Sequence, residues 1–206
     1  MNEETPYAWD SEVRYDLDPH LISDYFLALD DERKDPDVTQ MKLHKLMYFA
    51  QANYLAGTGR RLFDSDVHAF EHGPIIDKIR DEFKKFGRQI IVAADDAVAF
   101  NAKLDSSSLP DSVRAFLDAI WNMFGDLSAA QLRNLSHQDA PWADNYVKGG
   151  YKNEISDQEM QYWYRQPGSQ DRQIYPPNVY LFTEADTKTF DIEFTDQDID
   201  AILADL

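Results

Sequence analysis

The segment from Thr39 to Ala56 constrains the fold more than any other stretch of this chain. Leu43, Leu46, Met47, Ala50, Tyr54 and Leu55 recur at helical spacing and form one apolar stripe. Thr39 is a candidate N-cap, and Gly57 and Gly59 supply the stop. A helix with such a stripe must bury it, and the flanking segments offer partners. Asp18 before Pro19 reads as an N-cap with proline at N1, and Leu21, Ile22, Tyr25, Phe26 and Leu29 predict a first helix ending near Leu29. Past Gly73-Pro74, the spacing of Ile75, Ile76, Ile79, Phe83 and Phe86 predicts a third helix, ending at Gly87. Val113, Phe116, Leu117, Ile120 and Trp121 predict another over 111–124, and Ser128 to His137 one more after a break at Gly125. Ser156 with Glu159 forms a capping box that opens a short aromatic helix through Tyr164.

Strand signals are few. Val67 to His72 is β-compatible and is closed by Gly73-Pro74, with the proline expected at the first position of the next helix. Ile90 to Ala94 is a possible strand in an ambiguous stretch, 88–108, that ends in serines. Gln166 to Pro177 reads as a linker, followed by two short strands at Val179–Phe182 and Phe190–Phe194 and an acidic helix from about Thr195. The expected architecture is mainly α: a compact helical domain with a small β element over 18–165, an acidic arm over 1–17, and a short α/β extension over 166–206. The arm has no periodicity, and its Tyr7, Trp9 and Tyr15 are candidates to dock on the core.

Charge narrows the function. The 206 residues hold 38 Asp and Glu against 20 Lys and Arg, a formal charge of -18. Residues 1–40 carry 12 acids and 3 bases, and residues 181–206 carry 8 and 1, while 41–100 are balanced at 8 and 9. Such a balance repels phosphate backbones and argues against nucleic-acid binding. Zero cysteines exclude a disulfide framework, a thiolate metal site and a cysteine nucleophile, and agree with a reducing compartment. The first residues lack the basic and apolar regions of a secretory leader, and no apolar run approaches membrane-spanning length. The expectation is a cytoplasmic protein.

Signatures of catalysis are weak. His68 and His72 are four apart, but on a strand that spacing separates them by roughly 13 Å. His44 and His137 can join them only through the fold. There is no HExxH pattern, no Gly-x-Ser-x-Gly elbow and no phosphate-binding glycine loop. No cofactor, metal site or catalytic residue is therefore expected, and the chain is not read as an enzyme. A hydrolase built around His68, His72 and His137 is the alternative from another class.

Three local patterns remain. Lys42-Leu43-His44-Lys45-Leu46-Met47-Tyr48-Phe49-Ala50-Gln51 places bases and Tyr48 beside the apolar stripe, either as a solvated edge or as a contact strip. Leu62-Phe63-Asp64 precedes Ala69-Phe70-Glu71-His72-Gly73-Pro74, which brings an extended segment into a tight turn. Leu135-Ser136-His137 with Pro141-Trp142 puts a histidine and a large aromatic around a loop, with Trp142 expected to pack on the core.

Together, in this order, the three patterns resemble the Panacea domain, the SocA-like antitoxin family earlier grouped with the phage-associated protein GepA. The resemblance spans about residues 20–148. Phe70 stands where tryptophan is common and Met47 where leucine is usual. The resemblance implies a mostly helical antitoxin that binds and neutralises a protein toxin or, in another branch, delivers it to a protease as an adaptor. On that basis Lys42, His44, Lys45, Tyr48, Glu71 and His72 are the toxin-contact candidates. Leu43, Leu46, Phe49, Phe63, Gly73, Pro74, His137, Pro141 and Trp142 carry the structural pattern. A toxin with a basic surface would suit the acidic flanks.

Overall fold

A computed structural model of the chain describes residues 16–91, 109–149 and 153–174. Its elements are α1 (Pro19–Asp31), α2 (Gln40–Thr58), β1 (Val67–Phe70), β2 (Gly73–Ile76), α3 (Asp77–Phe83), α4 (Asp111–Phe124), α5 (Ala129–Ser136), α6 (Ala140–Asn145), β3 (Asn153–Ile155) and α7 (Asp157–Trp163). Short 3-10 turns follow at Lys84–Phe86 and Pro167–Arg172. This is the mainly α fold with a small sheet that the sequence predicts. The arm over 1–15, most of 90–94, the serines at 106–108 and the elements expected at 179–182, 190–194 and beyond Thr195 lie outside the described residues.

Local chemistry sets the helix ends. Asp18 accepts a hydrogen bond from the His20 N–H (2.9 Å), and Pro19 opens α1 without a donor to lose. The loop after α1 is folded by the buried carboxylate of Asp30, which accepts from the backbone N–H groups of Asp37 and Val38 (2.8 Å to Val38). Thr39 caps α2, and Gly59, at φ 74°, ends it with its N–H on the Leu55 carbonyl (2.8 Å). Gly57, expected to share that stop, lies inside the helix instead. Ser128 and Ser156 each form the reciprocal capping box with a residue three positions on.

α2 is the axis of the molecule. It is buried from Lys42 through Gly57, not along one stripe only, because α1, α4, α5, α7 and the sheet surround it. Its aromatic residues interlock with those neighbours: Phe49 stacks on Phe124 of α4 (4.4 Å between centroids), Tyr54 meets Phe116 edge-on (5.3 Å), and Tyr48 meets Tyr164 (6.2 Å). Truncating a phenylalanine packed this way costs about 3–5 kcal/mol.

The three-stranded antiparallel sheet has the order β2-β1-β3, with Val67 opposite both Ile76 and Ile155. Two local expectations change here. Gly73-Pro74 does not open a helix; it begins β2, and α3 starts only at Asp77. The Asp77 N–H donates to Asp66 O (3.0 Å), so Gly73 and Ile75 face β1 while Pro74 and Ile76 face away. Proline is tolerated at this edge because its missing donor removes no ladder bond. The segment after Gln166 is likewise no linker at its start, since Pro167–Arg172 folds into a 3-10 turn with Ser169 and Arg172 buried. Ile90 pairs with Thr39 in a single bridge, the described remnant of the strand expected there.

Gly73 ties the hairpin to the helices. Its φ is 95°, and a Cβ there would stand 2.6 Å from Lys45 Cε and 2.8 Å from Ser136 Oγ. Replacing Gly73 by alanine is expected to destabilise the fold by at least about 2 kcal/mol, read as a fall of roughly 5 °C or more in Tm by circular dichroism.

Candidate functional site

The polar residues of α2 each bind a different neighbour. Lys42 Nζ donates to Asp37 Oδ1 and to the Gly125 carbonyl (both 2.6 Å), tying α2 to the α1–α2 loop and the end of α4. His44 Nδ1 accepts from the Ile76 N–H (3.2 Å), and Lys45 Nζ donates to the Pro74 carbonyl (2.7 Å). These two side chains thereby cap the outward edge of β2, which would otherwise present unpaired backbone groups. Gln51 accepts from the Leu62 and Phe63 N–H groups and donates to the Phe63 carbonyl. Asn53 takes the Ile174 N–H on its Oδ1 (2.6 Å) and donates to the Arg172 carbonyl.

This geometry corrects the idea of a contact strip on α2. Lys42, Lys45 and Tyr48 are 0% exposed and His44 is 2% exposed, so none of the four presents a surface. Burial, with the Lys45 and Arg80 charges, pushes His44 down to about 3, leaving it neutral at neutral pH. Burial, with the Arg133 charge nearby, pulls Lys45 down to about 7.

A second buried node was missed by the sequence reading. Asp139, fully buried, accepts from Tyr48 Oη (3.0 Å), Tyr164 Oη (2.8 Å) and Trp163 Nε1 (3.0 Å), and pairs with Arg172 Nη2 at 3.0 Å. It joins α2, α6, α7 and the 3-10 turn at 167–172. Burial raises its carboxyl above the ordinary range in spite of Arg172, and burial with the Asp139 charge holds both tyrosines well above theirs. The available signal was an aspartate two residues before Pro141, at the N-cap of α6, though its side chain makes no cap hydrogen bond there. Nothing local indicated that Arg172 would answer it.

Of the toxin-contact candidates, Glu71 and His72 alone are exposed, and they form the turn between β1 and β2. One side of this turn meets the α5–α6 corner. His137, Trp142 and Tyr146 form a stacked ladder there (3.6 and 5.0 Å between successive centroids), and Trp142 Nε1 donates to the Phe70 carbonyl (2.9 Å). Burial and the nearby positive groups Arg133, Lys45 and His72 push His137 down to about 4. On the other side a cleft of ≈ 300 Å³ opens, lined by the apolar Phe70 and Ile75, by Gln40, His44, Arg80 and Lys84, and by Glu71 and His72 of the turn itself. The Arg80 guanidinium lies 5.0 Å from the Phe70 ring centre.

The histidines do not assemble a metal centre. His68 sits in β1 beside Asp77 (3.7 Å), His72 in the turn and His137 on the aromatic ladder. Among the described residues no group of three or more His, Asp or Glu could hold a metal ion. Nor is any described helix long and apolar enough to cross a membrane.

Two measurements check the buried nodes. Unfolding free energy is expected to climb as pH rises from about 7 toward 9.5, since unfolded Lys45 keeps its proton to its ordinary 10.5 while the folded form releases it near 7. In Lys45→Met that climb disappears. Asp139→Ala, which leaves three donors unpaired and Arg172 with only Asp171 and the Gly168 carbonyl, is expected to cost about 3–5 kcal/mol, against about 1.5–3 for Tyr48→Phe; chemical denaturation separates them.

No curated protein and no solved structure matches the chain at a significant level. A family model does: residues 43–143 match the one described as "Antitoxin SocA-like, Panacea domain". Most of α2, the hairpin, α4, α5 and most of α6 fall inside that match, so the centre of the described fold is similar to the SocA-like Panacea domain.

Proposed function

We propose that this chain is an antitoxin that neutralises a cognate protein toxin by binding it directly and covering its working surface. The match of residues 43–143 to the SocA-like antitoxin domain supports the role. The observation that carries the choice of surface is the division of labour within the family pattern. Lys42, His44, Lys45 and Tyr48 face inward and hold the fold together, whereas Glu71 and His72 stand exposed on a turn fixed from both sides. A rigid turn presenting one acid and one imidazole loses little conformational freedom on docking, which favours affinity. The acidic flanks, 12 acids in residues 1–40 and 8 in 181–206, would speed capture of a toxin with a basic surface and shield that surface once bound. The chain acts here as a binding protein and not as an enzyme.

Growth is the readout. The product of the neighbouring gene, expressed alone, is expected to arrest cells, and co-expression of this chain to restore them with the toxin level unchanged. A Glu71→Arg, His72→Glu double variant is expected to lower rescue by at least about tenfold in viable count while its Tm stays within a few degrees of the parent. A toxin level that falls only when a protease is present would replace occlusion with delivery.

A further inference from the structure

Where α1 meets α3, one imidazole holds two carboxylates. His20, in the first turn of α1, has Asp18 Oδ1 at 2.6 Å from its Nδ1 and Glu82 Oε2 of α3 at 2.8 Å from its Nε2. An ionised carboxylate only accepts, so both bonds form together only when both ring nitrogens carry protons, as in the imidazolium. A neutral ring has one N–H and must give up one of the two acids. The side chains are 23% exposed for His20 and 12% for Glu82, so the ring exchanges its proton with solvent while its contact to α3 stays largely shielded.

The surroundings sharpen the dependence on that proton. Burial works against the imidazolium, yet the hydrogen bonds and charges of Asp18 and Glu82 raise His20 above its ordinary 6.5. Asp24, one turn further along α1, faces the same group. Burial pushes it up to about 6 against the pull of His20, and Glu82 and Asp18 add to the rise. Lys78 of α3 acts on Asp18 but is itself bound to Asp64 at 2.5 Å. As pH rises from about 6 toward 8, His20 and Asp24 both lose their protons, and Asp18, Asp24 and Glu82 then repel one another across the seam. We propose that His20 is a proton-operated clasp, closed as the imidazolium between Asp18 and Glu82 and opened by loss of its proton, which frees α3 from the first turn of α1. Because the folded form holds this proton more tightly, the contact stabilises fully below the unfolded value of 6.5 and is lost as pH climbs through the folded one. α3 follows β2 directly and lays Arg80 on the Phe70 ring at 5.0 Å, so the clasp acts on the element beside the exposed turn. The inference is independent of toxin binding, and its test needs no toxin.

The test uses the full chain and reads the seam locally by NMR, since Lys45 moves global stability the opposite way above about pH 7. The ring C–H resonances of His20 are expected to titrate at least about half a pH unit above 6.5. Past that midpoint the amide hydrogens of Glu82 and Phe83 are expected to exchange several-fold faster, relative to their unfolded-chain rates. Glu82→Gln keeps an acceptor but removes the charge, and is expected to lower the His20 midpoint by about half a unit or more and to flatten the step in α3. His20→Gln is expected to abolish the step, and Asp24→Asn to leave it at the His20 midpoint. A His20 midpoint at or below 6.5, α3 exchange with no step at that midpoint, or a midpoint indifferent to Glu82→Gln overturns the proposal. So does a step that survives His20→Gln and vanishes in Asp24→Asn, which would place the switch on the carboxyl instead.

Discussion

A 19-residue helix surrounded on every side must find a partner for each polar group it carries, and that requirement organises this domain. An unpaired buried donor or acceptor costs on the order of 1–3 kcal/mol, and an unpaired charge more. α2 carries two lysines, a histidine, a tyrosine, a glutamine and an asparagine into the interior, and each answers a backbone or side-chain group on another element. The apolar residues make α2 bury itself. The polar ones bear on what it packs against, because each is answered by a different part of the chain: the α1–α2 loop, the 62–63 segment, the hairpin, Asp139 and the C-terminal turn.

The hairpin shows this most clearly. A short sheet with a free edge is open to wrong pairing, and here His44 and Lys45 close that edge on Pro74 and Ile76. Gly73 lets the lysine pass at a distance that no Cβ would permit. On the far side, the Trp142 indole fixes the Phe70 carbonyl, and Asp139 locks α6 to α2 and α7. The turn at Glu71–His72 is therefore the exposed end of a rigid assembly rather than a loose loop. A rigid exposed turn is what a recognition surface needs, which links the interior chemistry of the family pattern to its proposed role.

Helices with capping chemistry were legible from the chain alone. Asp18-Pro19, Thr39, Ser128 and Ser156 act within four residues of their targets, and the elements they open stand where the spacing put them. The family resemblance was legible too, because its pattern is a run of contiguous residues. What sequence could not decide was the direction in which Lys42, Lys45 and Tyr48 point. On a helix with one apolar stripe these are edge positions, and only the arrival of α4, α7 and the hairpin turns the edge into core. The same holds for Asp139 and Arg172, 33 residues apart, for β3 returning beside β1, and for the 3-10 turn that composition alone marks as a linker. Local propensity acts through neighbouring bonds and is written in the sequence; the burial of a charge depends on which distant group comes to meet it, and the tertiary structure alone decides that.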